Sequence, residues 1–251
     1  MSVIVVAGTG TGVGKTTVTA GLAALLVDQG KRVAVVKPYQ TGVADDEPGD
    51  LAEIERLSGV TDLHEYARFS EPLAPATAAI RAGVDAPEVD EVARRIMALV
   101  DRDFVLVEGS GGLLVQFNKS GETLLDLIVS LEKYDDIGLW LVASAGLGTL
   151  NVTALTARMV DEQTGMGVGG VIVGDWPAEP DIAARCNLAD LPKYAKAPLV
   201  GVLPMGASRL HPPIFLAMAR GALSPTLGGH FDAQDFVRQN SAPLPSVKGH
   251  S

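Results

Sequence analysis

Cysteine, histidine and long apolar runs are all scarce in this sequence. Cys186 is its only cysteine, so no intramolecular disulfide can form, which suits a reducing, cytoplasmic setting. The thiol lies in ARCNLAD with no neighbouring base to activate it, so it is not expected to act as a nucleophile. The four histidines, His64, His211, His230 and His250, show no metal-ligand spacing. No apolar run approaches the ~18–20 residues that span a bilayer, so no membrane partner is expected. The amino terminus lacks a basic segment followed by an apolar one and a small-residue cleavage site. Residues 2–7, SVIVVA, instead run into glycines as a strand would. Basic residues are outnumbered, 20 against 30 acidic, for a net charge of −10. Such a chain repels a phosphate backbone, and no basic cluster is longer than a pair such as Arg94-Arg95, so no nucleic-acid partner is expected.

What is present is a core. Of the 251 residues 47% are hydrophobic and 20% charged, which excludes a disordered chain and suffices for one α/β domain. Short, continuous apolar runs at 3–7, 32–37, 103–107, 138–143, 168–173 and 199–203 read as strands covered on both faces. Helical patterns fall between and after them, at about 15–29, 50–58, 87–100, 123–132, 150–164, 180–189 and 213–222. This alternation predicts a doubly wound, mostly parallel α/β sheet with helices on both faces. The expected domain covers 1–225. A tail, 226–251, shows no sustained period and is expected to be disordered over 240–251. Loop 40–49, QTGVADDEPG, is expected to close over a site at the carboxyl edge of the sheet.

The most specific signal follows the first strand: Gly8-Thr9-Gly10-Thr11-Gly12-Val13-Gly14-Lys15-Thr16, then a helix. Glycines let backbone N–H groups turn around an anion, and the helix dipole adds positive potential there. Lys15 supplies a mobile charge for β/γ-phosphates and Thr16 a hydroxyl for Mg²⁺. The spacing, GxxxxxGKT, is one residue longer than the usual phosphate loop. A dinucleotide fingerprint fails, because Val13 or Lys15 falls where its third glycine belongs and the second strand ends in Lys37-Pro38. This is the nucleoside-triphosphate site of a P-loop NTPase fold.

Strand 103–107 runs into Glu108-Gly109-Ser110-Gly111-Gly112, a carboxylate at the sheet edge beside that loop, as in a Walker B strand. Asp50 opens the helix LAEIERL, either as its N-cap or as a second Mg²⁺ ligand. Lys37 ends a buried strand, where it needs an anionic ligand or an ion pair with Glu108 or Asp50.

With GTGTGVGKT at 8–16, KPYQTG at 37–42, VEGSGGLLV at 107–115 and GLGTLN at 146–151, the sequence resembles the dethiobiotin synthetase family from residue 2 to about 222. The resemblance implies a homodimer with its site at the subunit interface. The reaction implied joins CO₂ to 7,8-diaminononanoate with MgATP, through a carbamate and its mixed anhydride with phosphate. Carried onto this chain, Lys15 and Lys37 bind the γ-phosphate and neutralise the carbamate. Thr11 and Thr41 hydrogen-bond one or other of those groups, and Gly111 belongs to the substrate site. Gly12, Val13, Gly14, Thr16 and Thr17 hold the nucleotide; Thr16, Asp50 and Glu108 hold Mg²⁺. Leu147 and Asn151 reach the carboxylate tail of the diamine from the neighbouring subunit.

Gly174, Asp175, Pro204, Met205 and Gly206 match the family's nucleobase loops. Many members place asparagine near position 175; Asp175 only accepts hydrogen bonds, which leaves other nucleotides than ATP open as co-substrates. Trp176 either stacks near the base or belongs to the core. Among alternatives, a septum-positioning type of switch ATPase would carry a lysine near the start of the loop, where this chain has Thr9-Gly10-Thr11. A corrinoid amidase would add a glutaminase domain, and a small-molecule kinase would not be expected to share KPxxTG and VEGxGG.

Overall fold

The computed structural model describes residues 1–134 and 136–242. One sheet contains β1 (Ser2–Gly8), β2 (Val33–Thr41), β3 (Asp62–Phe69), β4 (Phe104–Glu108), β5 (Ile137–Ala143), β6 (Gly170–Trp176) and β7 (Leu199–Pro204). Their order is β3-β2-β4-β1-β5-β6-β7, with every neighbouring pair parallel. Connections between parallel strands need crossovers, and helices supply them: α1 (Lys15–Asp28), α2 (Asp50–Ser58), α3 (Pro75–Ala82), α4 (Val89–Met97), α5 (Leu124–Leu131), α6 (Thr149–Thr164) and α7 (Ile182–Ala195). Beyond the last strand come α8 (Pro212–Ala222) and α9 (Ala233–Asn240).

Alternate residues of the same strands feed two cores, because successive side chains point to opposite faces. Val5, Val36, Val107 and Leu141 lie on one face with α3, α4, α5, α6, α7 and α9. Val6, Val35, Leu106 and Val142 lie on the other with α1, α2 and α8. This double covering is why the inner strands read as unbroken apolar runs.

Several expectations need correction. The sequence reading has no strand at β3 and no helix at α3. The second strand does not stop at Lys37 but continues through Pro38 to Thr41. Loop 40–49 borders the site at its start, where Gln40, Thr41 and Gly42 line the cavity described below, and Arg68 Nη1 donates to the carbonyls of Ala44 and Glu47 farther along it, at 2.9 and 2.8 Å. The tail is not patternless either. Leu227 and Phe231 are buried in the two cores, and α9 packs Phe236 and Val237 against the one containing Trp176. The disorder expected for 240–251 fails at Asn240, which ends α9, and from 243 onward lies outside the described residues.

Candidate active site

The centre of the sheet brings the functional segments together. β4 lies beside β1 with Glu108 level with Val6, so the end of β4 faces the phosphate loop that follows β1. β2 borders β4 on its other side and delivers Lys37 to the same edge. A cavity of about 810 Å³ opens there, lined by Thr11, Gly12, Gly14, Lys15, Thr16, Thr17, Lys37, Thr41, Asp50, Glu108 and Gly111, among others. Thus eleven of the expected site residues share one cavity.

No side chain caps α1 at Gly14, whose φ of 93° is a left-handed conformation that suits glycine. The uncapped N–H groups of the first turn therefore face the cavity with the dipole behind them. Lys15 bridges the mouth of its own loop, its Nζ donating to the carbonyls of Gly10 at 2.8 Å and Gly111 at 2.9 Å. Burial lowers its pKa to about 8, against the opposing pull of Glu108 and with help from Lys37. An arriving phosphate offers this ammonium a stronger, charge-assisted partner than either carbonyl.

Lys37, 4% exposed, lies between two carboxylates. Its Nζ is 2.8 Å from Glu108 Oε1 and 2.5 Å from Asp50 Oδ2. Burial disfavours its charge, but Glu108 and Asp50 outweigh burial and hold it protonated. Glu108 is wholly buried, which pushes its carboxyl upward while Lys37 pulls it down. Its Oε1 also accepts from Thr16 Oγ1 at 2.9 Å. Its Oε2 has no hydrogen-bond partner among the described residues, a costly arrangement for a buried oxygen. Asp50 is not an N-cap. It occupies the first position of α2 after Gly49, and its N–H donates to Gln40 Oε1 at 2.9 Å.

These oxygens suit a hard cation. Mg²⁺ takes one or two carboxylates beside phosphate and water ligands, and the Glu108 carboxylate keeps Oε2 without a hydrogen bond while its Oε1 meets the Thr16 hydroxyl.

The remaining expected residues lie outside this cavity. Val13 is buried, and its carbonyl abuts the end of β6: a Cβ added to Gly174 would lie 2.1 Å from Val13 O. Gly174 thus supports the phosphate loop by direct backbone contact. Trp176 is 8% exposed and belongs to the core, its ring against Phe236. Its carbonyl accepts from the N–H of Met205 at 2.7 Å, which ties segment 174–176 to Pro204, Met205 and Gly206. Leu147, 92% exposed, and Asn151 stand on the loop before α6 and in its first turn, outside the cavity of their own chain.

Several neighbours escaped sequence reasoning. Gln40, Pro72, Leu73, Ala74, Pro75, Ser110 and Val115 also line the cavity. Gln40 sits inside the KPYQTG block and was visible there; residues 72–75 follow the unrecognised β3 and carried no signal. Buried Asn187 on α7 donates both amide hydrogens, to Ala145 O at 2.8 Å and Gly146 O at 2.9 Å, and so anchors the Leu147 loop.

A parallel sheet with a glycine loop, a lysine and a Thr–Glu oxygen pair at its carboxyl edge defines a P-loop nucleoside-triphosphate-binding protein. A protein-family model described as an AAA domain matches residues 2–210. The ATP-dependent dethiobiotin synthetase BioD of Frankia casuarinae is 54% identical over 237 residues, 94% of this chain and 98% of that protein. The protein of the same name from Streptomyces avermitilis is 52% identical over 238 residues, with the same coverage. Among solved structures, the septum site-determining protein MinD complexed with Mg-ADP from Pyrococcus horikoshii OT3 gives a TM-score of 0.55 at 18% identity, covering 94% of this chain and 93% of that one. Likeness at that identity speaks to the fold alone. The chain belongs to the AAA-domain family so matched and, within it, to the ATP-dependent dethiobiotin synthetases.

Proposed function

We propose that this protein is a dethiobiotin synthetase, an ATP-dependent cyclo-ligase of biotin biosynthesis. It carboxylates 7,8-diaminononanoate with CO₂ and closes the ureido ring. The observation that carries this assignment is the convergence of Lys15, Lys37, Thr16, Asp50 and Glu108 on one cavity, in a chain about half identical to proteins of that name.

An amine of the diamine takes up CO₂ as a carbamate, losing a proton. The carbamate oxygen attacks the γ-phosphorus, and the bond to the ADP oxygen breaks. The second amine then attacks the carbamoyl carbon, phosphate leaves with its bonding electrons, and a proton is released. Carbamate and γ-phosphate are both anions, so their approach is the electrostatic problem. Lys37, already charged and desolvated, offsets the carbamate; Lys15 leaves the carbonyls of Gly10 and Gly111 to hold the γ-phosphate. Thr11 and Thr41 donate hydroxyls to the same groups, and the N–H groups after Gly12 and Gly14 cradle the phosphates. Thr16, Asp50 and Glu108 would hold Mg²⁺, which neutralises phosphate charge when bound. Charge stabilisation of this kind needs no large movement, because the buried lysine and carboxylate are already in place.

The active form is a homodimer, in which Leu147 and Asn151 complete the neighbour's diamine site. The exposed Leu147 and Leu155, 92% and 61% accessible, support that contact. No described helix is long and apolar enough to cross a membrane, and the proposed location is the cytoplasm.

The test is phosphate release with Mg²⁺, bicarbonate and the diamine, run with ATP, CTP and GTP. Release that requires the diamine and yields a ureido product by mass is the expected result. Release without the diamine would mark a switch ATPase instead. Comparing the three nucleotides ranks the bases accepted beside Asp175.

A further inference from the structure

The end of β6 is a weak point in the sheet. Pairing with β7 shifts register between Val173 and Trp176, so Gly174 and Asp175 are not held by a regular ladder. Yet these residues lie where position matters, since Gly174 touches Val13 of the phosphate loop backbone to backbone. At its far end the segment is held by the hydrogen bond from Met205 N–H to the Trp176 carbonyl and by the Trp176 side chain. Its indole packs edge-on to Phe236 of α9, with centroids 5.8 Å apart and planes at 76°. Phe236 in turn packs on Phe231 at 5.4 Å.

The helix that supplies Phe236 is itself secured at both ends. Asp232 caps its start, accepting from the N–H of Asp235 at 2.9 Å. At its other end Arg185 of α7 donates from Nε to Asn240 O at 3.2 Å and from Nη2 to Ser241 O at 3.4 Å. α9 lies beyond residues 2–210, the part matched by the AAA-domain family model.

We propose that Phe236, acting through Trp176, is a positioning residue for the nucleobase wall at Gly174–Asp175, and that α9 sets how well this enzyme grips the base of its nucleotide. The proposal rests on the assignment of that wall to the nucleobase. Phe236 touches neither the cavity nor the reacting groups. Its effect therefore falls first on the base, while the loop of residues 10–17, held by β1 and α1 as well as by Gly174, keeps most of its grip on the phosphates.

The experiment uses the full chain with Phe236→Ala and the volume-retaining Phe236→Leu. Dissociation constants are measured for Mg-ATP, Mg-CTP and inorganic tripolyphosphate with Mg²⁺, alongside the melting temperature. Loss of one edge-on aromatic contact predicts nucleotide binding weakened by about three- to tenfold in Phe236→Ala. Tripolyphosphate binding should stay within about twofold, and Phe236→Leu, which keeps bulk but not the edge-on ring contact, should show a smaller loss of about two- to threefold, greater for the nucleotides than for tripolyphosphate. General loosening would weaken tripolyphosphate equally and overturns the proposal, as does unchanged nucleotide affinity. If Phe236→Ala does not fold, Phe236→Leu carries the same comparison: a base-selective loss supports the proposal, and equal losses or none overturn it. Should the unaltered enzyme bind tripolyphosphate as tightly as both nucleotides, the base wall itself is misassigned and the proposal falls with it. That failure is distinguishable because it appears without any substitution.

Discussion

Replacing Lys37 by methionine separates the electrostatics of this site from its chemistry. Methionine keeps most of the apolar stem but removes the ammonium that lies 2.8 Å from Glu108 and 2.5 Å from Asp50. Asp50, with a third of its side chain exposed, can turn to water; Glu108, wholly buried, cannot. Glu108 would keep the Thr16 hydroxyl on Oε1 and nothing on Oε2. Breaking a buried pair from one side costs about 3–5 kcal/mol. In a domain of this size that corresponds to a melting temperature lower by about 6–20 °C. Protonation relieves part of the cost. Burial already raises the Glu108 carboxyl, and losing the downward pull of Lys37 raises it further. A carboxyl whose folded pKa lies above its unfolded one stabilises fully below the unfolded value and loses that contribution as pH rises through the folded value. The variant should therefore lose more stability at pH 8 than at pH 6, measured by thermal unfolding without metal. Adding Glu108→Gln should recover more than half of the loss, since no buried charge remains. Turnover of the single variant should fall by about 10²–10³. A melting temperature within about 2 °C of the parent at both pH values would refute the account, as would a double variant no more stable than the single one.

Gly174→Ala places a Cβ 2.1 Å from Val13 O, so nucleotide and tripolyphosphate affinity should both drop by about tenfold or more, read by calorimetry. Asn187→Asp turns two donated hydrogen bonds into repulsion against Ala145 and Gly146. The KM for the diamine should rise by about tenfold while that for ATP holds, as steady-state kinetics would show. Arg32 beside Asp103 lowers that carboxyl to about 2, first through the side-chain hydrogen bond and then through its own backbone N–H. Its stabilisation is thus present above the unfolded pKa near 3.8 and lost as pH falls toward 2. Asp103→Asn should accordingly lower the melting temperature at pH 6 and leave it unchanged near pH 2.

The sequence alone determined the class of the sheet and the chemistry at its edge. Strands buried on both faces need apolar residues throughout, so the runs in β1, β2, β4, β5, β6 and β7 were legible. A phosphate loop needs glycines and a lysine in fixed order, so the motif could be read without coordinates. β3 was not legible because it is an edge strand, half-buried except at Phe69, and its residues DLHEYARF answer to β2 on one side only. α9 was missed because its short sequence AQDFVRQN offers a lone apolar pair, Phe236-Val237, whose partners Trp176 and Phe231 come from elsewhere. Only the tertiary structure decided that Lys37 bridges Asp50 and Glu108, that Gly174 supports the phosphate loop and that Asn187 holds the Leu147 loop. Each is a contact between residues distant along the chain. Local pattern records which face a residue shows to a core; the side chain it meets there depends on strand order and register, which no single segment encodes.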